Sequence, residues 1–139
     1  YVEKLCYLDL DLYHYFIGRE GQSVHESVMM KRIDQQLKVT KIIMDCVDLS
    51  TVNSRKLERY LERFLSIMLA VSSIHLLMIG DSLAMKKRRA MWRYLEQKDP
   101  ALYRRMRLSV GGFTYLPSKL GNRLSLAGYR LAKKVVKFQ

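Results

Sequence analysis

The chain has 139 residues, is 49% hydrophobic and 27% charged, and carries a formal net charge of +12. That is enough chain for one core burying roughly two-thirds of its unfolded surface, and the composition is too apolar and aromatic for a disordered segment. The charge is lopsided: residues 1–85 hold ten Lys and Arg against eleven Asp and Glu, while residues 86–139 hold fifteen against two. Such asymmetry points to an anionic partner, nucleic acid or lipid, against the plainer reading of a solvated face with no partner. Cys6 and Cys46 are too few for a disulfide framework and lack metal-ligand spacing, so reduced thiols in a cytoplasmic setting are expected. The chain opens on Tyr1, and the expectation is a piece of a longer protein.

Taken in order, Tyr1 to Ile17 alternates loosely, with Leu8, Leu10, Leu12, His14 and Phe16 on one face of a strand or extended segment. A lone strand is unstable in water, so this one needs a partner chain, the helices, or an irregular form. Ser23-Val24-His25-Glu26 reads as a capping box opening a helix to about Cys46, with Met30, Ile33, Leu37, Met44 and Val47 as its apolar stripe and Thr40 on one rung. Asp48 to Asn53 is a polar turn, after which Asn53 or Ser54 caps a second helix. From Phe64 to Ile79 that helix is apolar nearly all round, interrupted by Ser66, Ser72, Ser73 and His75, and it reads as the buried centre of a bundle rather than a membrane span. Gly80 stops it.

Asp81 or Ser82 starts a third helix to about Gln97, carrying the basic cluster Lys86, Lys87, Arg88 and Arg89 opposite a packing face of Leu83, Ala84, Ala90, Met91, Tyr94 and Leu95. Asp99-Pro100 opens a short fourth helix to about Leu108. Ser109 to Pro117, with its paired glycines, reads as a loop. In the last helix Leu120, Leu124, Ala127, Leu131, Val135 and Phe138 recur at intervals of three and four, and Lys119, Arg123, Arg130, Lys134 and Lys137 follow the same rhythm on another face. The stripe either packs on the bundle with its cations in water, or dips into a lipid headgroup layer while the cations meet anionic lipid.

Chemistry-bearing motifs are few. His14, His25 and His75 have no carboxylate or thiol at metal-ligand spacing, and His75 reads as a hydrogen-bonded core residue. Asp9 and Asp11 share a strand face, as any acids two apart would. Gly18-Arg19-Glu20-Gly21-Gln22-Ser23 is a better candidate for an anion: glycines admit close approach, Arg19 can grip phosphate, and a helix N-terminus follows. An ordinary strand-to-helix turn looks the same.

The segment Tyr13-His14-Tyr15-Phe16-Ile17-Gly18-Arg19-Glu20-Gly21-Gln22-Ser23-Val24 resembles the stretch that closes the catalytic domain of family 2 bacterial glycosyltransferases. The likeness extends through Lys31 to Lys41, with an echo at Asp99-Pro100-Ala101-Leu102-Tyr103. It implies a parent enzyme of GT-A fold that transfers a sugar from a nucleotide-sugar donor to a glycan or lipid-linked acceptor, with Mg or Mn. It also implies Arg19, Gln22 and Ser23 as donor-diphosphate contacts. The nucleotide-binding half, the metal-holding acids and the catalytic base would lie upstream, so these residues alone should carry no catalytic residue, metal or cofactor.

The resulting expectation is a mainly α protein, a bundle of about four to five helices. Residues 1–23 are read as the edge of a catalytic domain and residues 24–139 as a helical C-terminal domain. Expected partners are the upstream domain, the nucleotide-sugar donor and an anionic membrane surface at the cytoplasmic face. The alternatives are a basic nucleic-acid-binding module or a homo-oligomerisation bundle.

Overall fold

A computed structural model describes residues 4–14, 25–46 and 48–136. The protein is a mainly α bundle: α1 (Glu26–Lys31), α2 (Ile33–Cys46), a single 3-10 turn (Leu49–Thr51), α3 (Arg55–Ile79), α4 (Ser82–Lys98), α5 (Pro100–Arg107), α6 (Val110–Phe113) and α7 (Ser118–Val136). The α3 helix is the central element: α1, α2, α4, α6 and α7 all pack on it.

Local chemistry sets the boundaries. Ser54, rather than Asn53, caps α3, its Oγ accepting from the Leu57 N–H at 3.4 Å. Gly80 ends α3 in the left-handed region (φ 74°), where its N–H donates to the Leu76 carbonyl. Asp81 and Asp99 cap α4 and α5 through the N–H groups of Ala84 and Leu102, at 2.6 and 2.8 Å.

The core falls into two clusters. The larger gathers Met44, Leu65, Leu69, Trp92, Leu95 and Leu102 with Met91 and Met106, and the smaller gathers Ile33, Leu76 and Ala84. Leu37, half-buried, packs against both. The serines that interrupt the apolar run of α3 each fasten it to another helix. Ser66 Oγ donates to Ser109 Oγ at 2.8 Å and accepts from the Gly111 N–H at 3.0 Å. Ser72 bonds Thr40 at 3.0 Å, and Ser73 accepts from Trp92 Nε1 at 3.0 Å. Buried hydroxyls are therefore satisfied, which is the condition for tolerating them in an apolar helix. By length and composition α3 could cross a bilayer, yet 56% of its apolar window is buried inside the bundle. His75 is buried, with Nδ1 2.8 Å from the Val71 carbonyl, and burial pushes its pKa down.

Of the forms open to the N-terminal stretch, residues 4–14 take the irregular one, with Leu5, Leu8, Leu10 and Leu12 exposed, since no sheet edge among the described residues is there to pair them. Three expectations need correcting. The helix expected from Val24 to Cys46 is broken at Arg32 (φ −104°, ψ 22°), and it starts with His25 as a cap whose side chain bonds no backbone N–H of the helix. With His25 at the cap position, Glu26 is the first helical residue and not the fourth member of a capping box. Its carboxylate is taken by Tyr129 and Lys133 of α7, while Ser23 lies outside the described residues. Finally, the expected loop at 109–117 contains a helical turn, α6. Glycine at 111 lets that turn lie against α3, since a Cβ there would stand 3.1 Å from the Ser66 carbonyl oxygen.

Candidate membrane-facing surface

The clearest departure from ordinary packing is α7. Leu120, Leu124, Leu131 and Val135 are 67%, 51%, 65% and 75% exposed, and Ala127 on the same stripe is exposed as well. The helix meets the bundle through small residues instead. Gly121 and Ser125 are buried, and the Phe113 ring comes within 2.8 Å of where a Cβ at Gly128 would sit. Ser125 Oγ bonds the carbonyls of Phe113 and Gly121, both at 2.9 Å. At about 100° per residue, the small-residue face and the leucine stripe are neighbours on the helix. Half-exposed Phe113 borders the stripe on the bundle side, a contribution the sequence reading missed by calling its region a loop.

On the stripe's other edge stand Lys119, Arg123, Arg130 and Lys134, all exposed. Among the described residues no carboxylate lies within ion-pair distance of them. Lys137 and Phe138 lie outside the described residues. The reading in which the leucine stripe packs on the other helices is thus overturned: glycine and serine, not leucine, face the bundle, because a helix this near α6 has no room for larger side chains.

A polar tie to α1 also holds α7 in place. Tyr129 Oη and Lys133 Nζ donate to Glu26 Oε1 at 2.6 and 2.8 Å. The bonds from Lys133 and then Tyr129 hold the Glu26 carboxyl below its usual range. Burial, then the bond to Glu26, pushes the Tyr129 phenol up to about 12.

The basic cluster of α4 divides. Lys86 and Arg89 are exposed as expected. Lys87 is half-buried and ion-paired with Asp34 of α2. Arg88 is no surface cation: it is 5% exposed, donating to the Thr114 carbonyl at 2.5 Å and to Asn122 Oδ1 at 3.0 Å. Its guanidinium carbon lies 4.9 Å from the centre of the Tyr115 ring, which stacks on Trp92 at 4.7 Å. Burial lowers its pKa to about 10, opposed by Tyr115, so it stays cationic at neutral pH. Four consecutive cations cannot share one side of a helix, and Arg88 falls on the face of Ala84, Trp92 and Leu95.

Arg19, Gln22 and Ser23, the positions expected near a donor diphosphate, lie outside the described residues. Asp9 and Asp11 are exposed, and among the described residues no three His, Cys, Asp or Glu side chains come together to hold a metal ion. Cys6 and Cys46 are exposed free thiols. No family model, curated protein or solved structure matches this chain.

Proposed function

We propose that the helical body is the C-terminal support of a sugar-transferring enzyme, and that α7 seats it on an anionic membrane surface at the cytoplasmic face. The transferase half rests on the resemblance of residues 13–41 to family 2 glycosyltransferases. The docking half rests on one observation, the open leucine stripe of α7 running beside a row of free-standing cations.

The energetics favour a lipid interface. A leucine leaving water fully gains roughly 1.5–3 kcal/mol, so partial insertion of four aliphatic side chains gives several kcal/mol. Each cation held near an anionic leaflet adds about 1 kcal/mol. The sum describes reversible, charge-dependent residence on the surface. A polynucleotide partner would use the cations and leave the leucines in water.

Flotation with vesicles tests the docking half. The protein floats with vesicles containing phosphatidylglycerol, floats much less with pure phosphatidylcholine, and is released by added salt. Equal recovery with both compositions, or none with either, removes the membrane reading. A shift on random DNA that collapses with modest salt, without flotation, replaces it by the nucleic-acid alternative. The transferase half is tested separately by nucleoside diphosphate release from nucleotide sugars by the longer protein carrying this region; no release with any common donor removes it.

A further inference from the structure

A second apolar surface lies away from α7. The α2 and α4 helices both pack on α3 but meet each other only lightly, leaving two grooves between them. One, of about 340 Å³, is floored by Ile33, Leu76 and Ala84. The other, of about 300 Å³, is lined by Leu37, Met44, Ala90 and Met91. Lys87 lines both, and its ion pair with Asp34 spans from α4 to α2 where they meet. The floor of the first groove is the small core cluster, and that of the second belongs to the large one. The trough therefore runs over the seam between the two cores. From Ile33 to Met44 it follows α2 over twelve residues, a rise of roughly 16 Å along the helix.

We infer that this trough is a binding site for a single acyl chain bearing an anionic head, the chemistry of a fatty acid. Its walls are apolar; Lys87 is taken by Asp34, while Lys31 and Lys41 stand among its lining residues against one carboxylate there, Asp81. That carboxylate is already engaged in capping α4. Lys41 Nζ sits 4.6 Å from the centre of the Tyr94 ring, which places a cation over the wall of the second groove. A partner helix of about 10 Å diameter would have to break the Lys87–Asp34 clasp and wedge the helices apart. An acyl chain is thin enough to lie in the groove with the clasp intact and offers its head to Lys41 at the rim. The inference is independent of the surface docking by α7.

A dansyl-labelled fatty acid, titrated into the full chain without vesicles, tests it. The expected result is a saturable rise and blue shift of dansyl emission, competed by unlabelled fatty acid and not by the matching fatty alcohol. Ala90 is exposed and lines the groove, so Ala90→Trp fills it without disturbing the core and weakens binding by about tenfold or more. Lys41→Glu acts at the head and weakens binding in the same direction, with a thermal melt reporting that each variant folds. No saturable binding by the wild type overturns the proposal, and so does binding unmoved by Ala90→Trp. Ala90→Trp leaves vesicle flotation unchanged, whereas Leu124→Asp with Leu131→Asp abolishes flotation and leaves fatty-acid binding intact, so the two readings fail separately.

Discussion

The Tyr129 hydroxyl donates to Glu26 across 103 residues of sequence, joining the last described helix to the first. With Lys133 on the same carboxylate oxygen, it joins the Arg88–Asn122 and Ser125–Phe113 bonds in setting how α7 lies on the bundle. Tyr129→Phe removes one hydrogen bond to a charged acceptor and should cost about 1–2 kcal/mol, read as a lower denaturant midpoint. Vesicle flotation should weaken as the helix loses its fixed orientation.

The same tie predicts a pH dependence. The Glu26 carboxyl is held below its ordinary value of 4.5 in the folded protein, so its contribution is complete above that value and is lost as pH falls through the folded pKa. Glu26→Gln never has that contribution. The stability gap between wild type and variant should therefore be widest at neutral pH and close as the pH drops below about 4.5. Urea unfolding at a series of pH values measures it; a gap that grows on acidification would contradict the sign.

Arg88 and Lys86 separate a buried cation from a surface one. Lys86→Glu should change stability by no more than about 0.5 kcal/mol. Arg88→Glu places a carboxylate against the Thr114 carbonyl and the Asn122 oxygen, and should cost about 3 kcal/mol or more. In vesicle binding the order inverts: Lys86→Glu, or Arg123→Glu on α7, weakens attachment without altering the melt.

The Thr40–Ser72 bond joins α2 to α3 in full burial. Ser72→Ala should cost about 1 kcal/mol, since Thr40 keeps its second contact to the Gln36 carbonyl. Combined with Thr40→Val, the loss should fall short of the sum of the singles by roughly 0.5–1 kcal/mol. Strict additivity would show that the two hydroxyls do not depend on each other.

Much of the bundle is readable from residue chemistry. Ser54, Gly80, Asp81 and Asp99 act within a few residues of themselves, so the boundaries of α3, α4 and α5 follow from local rules. The apolar length of α3 likewise marks it as central. What periodicity cannot give is which face of an amphipathic helix meets the bundle. In α7 the leucines recur perfectly and yet lie outward, because Leu116 crowds the position of Gly121 and Phe113 that of Gly128, leaving room for small residues alone. Counting cations had the same weakness at Arg88, whose place in the interior is decided by Thr114 and Asn122, 26 and 34 residues away. The groove between α2 and α4 was hidden for a related reason: Ala90 reads as core by type, and only the separation of the two helices leaves it open.

The reach of the Glu26–Tyr129 contact also bears on the order in which the molecule assembles. Closing a loop of 103 residues in an unstructured chain costs about 4 kcal/mol in entropy, more than the bond returns. It cannot nucleate anything, and it forms only once the intervening helices have brought its ends together. During synthesis α1 can settle against α3 first, and its Glu26 carboxylate gains these partners only after α7 has emerged. In hydrogen exchange α7 should be the first helix to open and the last to close.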